Sequence, residues 1–159
     1  MKKELIQDYT LRITQASRSE LIVIMYEIIL SDIASAKEAF DTKDLELYDK
    51  ELSHAGRFVS ELMSALDYSV GLSYRLMSLY IYANKKLTTA RIQKKPELLL
   101  DVENVFEKLL VGFKKVSEED ISGPVMKNTQ QVYAGLTYGK GTLNETYVNG
   151  NEARRGFMA

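Results

Sequence analysis

An unbroken repeat of apolar residues in residues 45–66 constrains the fold of this chain more than any other feature. The repeat is made by Leu45, Tyr48, Leu52, Ala55, Val59, Leu62 and Leu66. Alternating steps of three and four residues place these side chains along one face of an α-helix, and such a face needs an apolar partner. The repeat therefore predicts a helix that packs lengthwise against neighbouring helices.

Three further segments show helical spacing of apolar residues. The first begins at a capping box, in which the side chains of Ser17 and Glu20 accept hydrogen bonds from each other's backbone N–H, and it runs to about Phe40. The other two carry their apolar faces within residues 72–90 and 98–116. No segment shows the two-residue alternation that is typical of a β-strand.

The four predicted helices are separated by short connections. Asp44 is a suitable N-cap for the second helix, and Asp67 or Ser69 is suitable for the third. Pro96 favours the first turn of the fourth. Because helices joined by a few residues pack antiparallel, the sequence predicts an all-α fold, an antiparallel up-and-down four-helix bundle over residues 17–122.

The segments on either side of the predicted bundle differ from it. Residues 1–16 contain apolar residues without a single period, so we expect an N-terminal arm or short helix, partly helical or extended, that packs against the rest of the protein. Residues 123–159 hold six of the nine glycines and several tyrosines, so we expect an extended C-terminal tail.

Composition excludes several classes of function. The chain has no cysteine, which removes disulfides and thiolate chemistry, and its net charge of −1 provides no field that would attract nucleic acid. The longest apolar run, residues 21–26, is too short for membrane insertion, and the basic N-terminus lacks the apolar stretch of a signal peptide. A cytoplasmic location is therefore expected.

No catalytic or metal site is predicted. Glu51 and the only histidine, His54, form a Glu-x-x-His pair of the kind found in di-iron bundles. Such sites need a second pair, so we interpret these two residues as a surface or boundary pair. The Gly-rich residues 135–142 have neither the spacing nor the hydroxyl residue of a phosphate-binding loop. We expect no catalytic residue, no metal and no cofactor.

Tyrosines occur beside the apolar faces of two predicted helices, at Tyr26, Tyr74, Tyr80 and Tyr82. Each of them singly is compatible with packing at the boundary of the core. As a group they also suit a groove that receives an amphipathic helix from another protein.

Four motifs follow one another in the chain. They are YTLRI and ASRSELIVIMY at residues 9–13 and 16–26, HAGRFVSELMSALD at 54–67, GLSYRLMSLYIY at 71–82 and LDVENVFEKL at 100–109. In this order and spacing they resemble FliS, a family of cytoplasmic export chaperones of flagellin. The family's usual tryptophan at the end of the last helix is missing here, and Phe113 is expected to fill its space.

The resemblance implies a bundle with a short N-terminal helix or arm that binds the C-terminal segment of flagellin. Such a chaperone prevents premature polymerisation and assists delivery to the flagellar export apparatus. The residues predicted to line the partner groove are Ile13, Leu21, Met25, Tyr26, Leu79, Tyr80, Ala83 and Leu87. Ile6 and Tyr9, in the arm, are predicted to cover that groove in the free protein.

Alternatives remain open at this point. The chain also fits a generic helical-bundle adaptor that binds another amphipathic client segment. Residues 125–143 of the tail are a candidate internal plug for the groove. The sequence does not distinguish a monomer from a homodimer.

Overall fold

Five α-helices make up the part of the chain that the structure, a computed structural model, describes, namely residues 3–126. They are α1 (Lys3–Gln15), α2 (Arg18–Asp41), α3 (Leu45–Ser64), α4 (Leu72–Gln93) and α5 (Leu99–Glu119), with one 3-10 turn at Pro96–Leu98. Each helix from α2 to α5 packs against the next, and α5 closes the ring against α2. The predicted all-α four-helix bundle is confirmed.

Two of the three predicted helix caps occur in the structure. The backbone N–H of Ser17 donates to the Glu20 carboxylate at 2.7 Å, and the Glu20 N–H donates to the Ser17 hydroxyl at 3.3 Å. Asp44 accepts from the backbone of α3 as expected. The third expectation is wrong, because α4 has no side-chain cap. Asp67 instead accepts from the backbone N–H of Ser69 at 2.9 Å, within the turn that precedes α4.

The N-terminal arm is a regular helix, α1, and not an extended segment. It has an acidic residue in its first turn, Glu4, and a basic residue in its last turn, Arg12. This arrangement suits the helix dipole, which favours negative charge at the N-terminus and positive charge at the C-terminus. Only Ala16 and Ser17 separate α1 from α2.

Aromatic side chains from three helices fill the centre of the bundle. The rings of Tyr26 and Phe106 lie 5.5 Å apart, and the ring of Tyr80 stacks on Phe106 at 6.3 Å. Phe113 meets the Tyr26 ring edge-on at 5.4 Å, so this phenylalanine contributes to the core in the last helix. Burial raises the pKa of both tyrosines, so their hydroxyls stay protonated inside the bundle.

The apolar repeat that predicted α3 is buried over most of its length. Its members from Tyr48 to Leu62 belong to the core, whereas Leu45 is exposed in the first turn of the helix. The Tyr48 hydroxyl donates to the backbone oxygen of Ala90 at 2.8 Å, which connects the start of α3 with the end of α4. Most of the predicted tail, residues 127–159, lies outside the described residues, and the domain division at 17 and 123 stays a prediction.

Candidate partner-binding surface

Helix α1 covers an apolar surface that is separate from the main core. The buried members of this second cluster are Tyr9, Ala16, Ile24 and Ile28, and the partly buried members are Ile13, Leu21 and Phe58. The cluster thus combines the arm with α2 and with one aromatic ring of α3. An apolar strip on the bundle is hidden by a helix that belongs to the same chain.

The packing of α1 on this strip depends largely on one side chain. Tyr9 is only 9% exposed, whereas Ile6 is 47% exposed. Leu5 and Leu11 are exposed as well. Burial raises the pKa of the Tyr9 hydroxyl, and the nearby carboxylate of Glu27 raises it further. Of the two arm residues that were predicted to cover the groove, Tyr9 is buried and Ile6 is largely exposed.

Polar contacts of α1 lie beside the buried ring, since the Arg12 guanidinium is 5.7 Å from the centroid of the Tyr9 ring. The Arg12 guanidinium donates to the Glu27 carboxylate of α2 at 2.6 Å, and this hydrogen bond raises the pKa of Arg12. Glu27 also lies 3.5 Å from the Lys114 ammonium of α5. Because these groups are partly exposed, each pair contributes only about 0–1 kcal/mol to the free energy of unfolding.

An open cleft of about 410 Å³ lies beside this contact. Its polar wall includes Arg12, Glu20, Glu27 and Lys114, and its apolar wall includes Val23. The arm, α2 and α5 all contribute to the lining. One edge of the arm therefore borders open space.

The chain that follows α5 returns to the junction between α1 and α2. Both the backbone N–H and the hydroxyl of Ser19 donate to the Asp120 carboxylate. The backbone N–H of Val125 donates to the backbone oxygen of Ala16 at 3.0 Å. Hydrogen bonds from Ser122 and Ser19 lower the pKa of Asp120. Local sequence gave no signal for these contacts because their partners are about a hundred residues apart.

A buried polar group lies between α2 and α3. The His54 ring nitrogen Nδ1 is 2.6 Å from the Asp32 carboxylate, which is fully buried. Burial raises the pKa of Asp32, the hydrogen bond and charge of His54 lower it, and the neighbouring Glu51 carboxyl raises it. The interpretation of Glu51 and His54 as a surface or boundary pair is wrong for Glu51, which is only 6% exposed. Sequence spacing could not reveal Asp32, the residue of α2 that lies close to both side chains.

The His54 pair is connected to the surface under the arm through Phe58. The rings of His54 and Phe58 lie 5.0 Å apart in an edge-on arrangement. Phe58 also packs against the cluster that contains Tyr9, and Asp32 is among the charges that raise the pKa of Tyr9. Within residues 3–126, no group of three or more His, Cys, Asp or Glu side chains is arranged to hold a metal ion.

The predicted groove residues fall into three places. Ile13 and Leu21 lie in the cluster under the arm, with Tyr9. Met25 packs partly buried against the main core, and Leu79 is exposed on α4. The remaining four are buried inside the main core, and they are Tyr26, Tyr80, Ala83 and Leu87. The structure therefore brings two of the eight together at the arm, and the partner-binding role of all eight stays a prediction.

Ile24, Ile28 and Phe58 belong to the covered strip but were not among the predicted groove residues. All three are apolar residues of helices. Periodicity shows that such residues face inward. It does not show that they face an arm instead of the main core.

Three comparisons with known proteins agree with one another. The family model described as "Flagellar protein FliS" matches residues 1–120. The "Flagellar secretion chaperone FliS" of Bacillus subtilis (strain 168) is 28% identical over 91 residues, which are 57% of this chain and 68% of the relative. A solved structure described as "Crystal structure of flagellar chaperone from bacteria" has the same fold, with a TM-score of 0.61 at 17% identity, over 72% of this chain and 98% of that one. Within the described part of the chain, no helix is long and apolar enough to span a membrane.

Proposed function

This chain belongs to the FliS family of flagellar secretion chaperones, and from this we propose that it binds the C-terminal segment of flagellin in the cytoplasm. Binding would prevent premature polymerisation of flagellin and would present it to the flagellar export apparatus. The protein acts by binding and carries out no reaction on its client.

The observation that carries the proposal is the apolar strip beneath α1. Ile24 and Ile28 of α2 are buried there in one cluster with Tyr9 and Ile13 of the arm. The ion pairs of the covering helix are partly exposed and contribute little, so the apolar contacts of Tyr9 and Ile13 are what mainly oppose its release. A client helix with a larger apolar face can take its place.

The chemistry of a flagellin C-terminal segment would fit this strip. A disordered amphipathic segment that folds on binding can lay its apolar face in a groove between helices. Its apolar residues would then be hidden from other flagellin molecules. We infer that α1 occupies this surface in the free chaperone and leaves it when the client binds.

Isothermal titration calorimetry of the full chain with a peptide of the flagellin C-terminal segment tests the proposal. We expect saturable binding of the peptide and none of a control peptide with the same composition in shuffled order. Faster amide exchange in α1 in the complex would identify the arm as the element that leaves. Absence of heat and of co-elution with flagellin would refute the function and favour an adaptor for another amphipathic client.

The same titration tests the tail. A variant that ends at Met126 keeps the Val125 hydrogen bond to Ala16 and lacks residues 127–159. If the tail were a plug in the client groove, this variant would bind the peptide more tightly than the full chain. Equal affinities would eliminate the plug. Sedimentation equilibrium of the free chain distinguishes a monomer from a homodimer.

A further inference from the structure

Helix α4 carries an exposed apolar stripe on its outer face. Tyr74, Ile81 and Ile92 are 62%, 55% and 68% exposed. Steps of seven and eleven residues return to nearly the same direction on an α-helix, so the three side chains lie along one line about 27 Å long. The Tyr74 ring is paired with the ring of Tyr68 at 5.3 Å, which extends the stripe into the preceding turn.

Positive charge is concentrated on the same helix. Residues 68–96 contain no Asp or Glu, and their six basic residues are Arg75, Lys85, Lys86, Arg91, Lys94 and Lys95. Lys86 is paired with Asp101 at 2.8 Å, and Arg91 and Lys94 lie 3.8 and 3.6 Å from Asp49. Lys85 is exposed within the stripe itself, between Ile81 and Ile92. A chain with a net charge of −1 thus has a local cationic surface.

A groove of about 230 Å³ borders the stripe, between α3 and α4. Its polar lining consists of Ser53, Arg57, Ser60, Asn84, Thr88 and Arg91, with no carboxylate. The Ser60 hydroxyl donates to the backbone oxygen of Gly56 at 3.0 Å. Arg57 comes from α3 and Arg91 from α4, so each wall of the groove presents a guanidinium group, the kind of group that binds carboxylates.

We propose that the α4 stripe and the α3–α4 groove together form a docking surface for an acidic amphipathic helix of a partner protein. The apolar residues of such a helix would lie on Tyr74, Ile81 and Ile92, and its carboxylates would face Lys85 and the groove arginines. Charge complementarity selects this occupant. Residues 127–159 of the chain itself carry four basic and two acidic residues, so they lack the required negative charge.

This surface is distinct from the one beneath the arm. The arm covers residues of α2 and one ring of α3, whereas the docking surface lies on α4 and on the α3 residues that face it. The two surfaces can therefore be occupied at the same time. The inference goes beyond the proposed function and does not depend on it.

A designed peptide tests the proposal on the full chain. The probe is a fluorescent helical peptide of about 20 residues, long enough to match the stripe, with leucine along one face and glutamate along both edges. Its control has glutamine in place of every glutamate. Fluorescence anisotropy is expected to show binding of the acidic peptide and at least about tenfold weaker binding of the glutamine peptide, a difference of about 1.4 kcal/mol.

Surface variants locate the binding. Ile81→Asp in the stripe and Arg57→Gln in the groove are each expected to weaken the acidic peptide about tenfold. Val111→Asp, at a residue of α5 that is 61% exposed, is the matched control and is expected to bind like the parent. Circular dichroism confirms that all three variants remain folded.

Several outcomes would overturn the proposal. They are absence of saturable binding, equal binding of the acidic and glutamine peptides, and equal effects of the Ile81 and Val111 variants. A change in the sedimentation of the free chain on Ile81→Asp would assign the surface to contact between two copies and would also overturn it.

Discussion

The hydroxyl oxygens of Tyr26 and Tyr80 lie 2.5 Å apart in the interior of the bundle. Tyr26 belongs to α2 and Tyr80 to α4, which face each other diagonally across the ring of four helices. The hydrogen bond therefore connects two helices that are otherwise separated by their neighbours. It satisfies both polar groups in a region filled by aromatic rings.

Removal of one of these hydroxyls is expected to destabilise the protein. In Tyr80→Phe the buried Tyr26 hydroxyl loses its partner, and we expect a loss of about 1–3 kcal/mol in the free energy of unfolding. The double variant with Tyr26→Phe removes both hydroxyls and should cost less than the sum of the single variants. Urea unfolding of the full cycle measures this coupling. Tyr82→Phe, on the exposed side of α4, is the control, and strictly additive effects would contradict the coupling.

Loosening the arm is expected to strengthen client binding. Tyr9→Ala removes the main buried side chain of α1, so release of the arm requires less free energy and the flagellin peptide should bind about tenfold more tightly. Calorimetry measures the affinity, and amide exchange in α1 should become faster in the free protein. Leu11→Ala changes an exposed residue of the same helix and should leave the affinity unchanged. Weaker binding by the Tyr9 variant would mean that Tyr9 contacts the client directly.

The buried Asp32 is expected to make stability depend on pH. Burial raises its pKa in the folded protein to about 6, from 3.8 in the unfolded chain, although the charge of His54 opposes the shift. Between these values the folded state binds the additional proton, so the contribution of Asp32 to stability falls as pH rises from 4 to 6. Urea unfolding of the parent and of Asp32→Asn across this range isolates the contribution as the difference between two curves.

The control for the Asp32 experiment is a carboxylate whose pKa shifts in the opposite direction. The hydrogen bond from Lys86 lowers the pKa of Asp101, so Asp101→Asn should leave the slope between pH 5 and 6 unchanged. His54 and Glu51 face Asp32 directly, and Tyr9 of the arm is close enough for Asp32 to affect its pKa. If Asp32→Asn kept the slope of the parent, the slope would not come from Asp32, and the prediction would be wrong.

Asp120 is expected to fix the segment that follows α5. Asp120→Ala removes the acceptor of both Ser19 hydrogen bonds, so amide exchange at Ser19 and at Val125 should become faster at neutral pH. Asp120→Asn retains one carbonyl acceptor and should have an intermediate effect. Since the pKa of Asp120 is lowered in the folded protein, its stabilising contribution is present at neutral pH and is lost on acidification. Unchanged exchange at Val125 would show that its bond to Ala16 holds the segment alone.

Sequence reasoning worked where the determinants are local. The Ser17 capping box and the repeat that includes Tyr48 and Leu62 each depend on residues of a single helix, and both occur in the structure. The bundle could be predicted because short connections leave few ways to arrange four amphipathic helices. The predicted cap of α4 was wrong because the Asp67 carboxylate accepts a hydrogen bond from Ser69 within the turn and does not cap the helix.

The surface under the arm could be predicted less well from the sequence. Tyr80 was placed beside an apolar face and predicted to line the partner groove, whereas it is buried in the main core. Helical spacing does not reveal whether an apolar face meets the main core or a displaceable helix. The contacts that define the surface join distant residues, such as Arg12 with Glu27 and Asp32 with His54. These pairings depend on how the helices are placed, which no local pattern encodes.

Glu27 has two cationic neighbours, Arg12 on the arm and Lys114 on α5. In the proposed release of α1, only the first of them would leave, and the half-buried carboxylate would keep the second. Because salt screens the Arg12–Glu27 pair, the proposed release of the arm should become easier as the ionic strength rises.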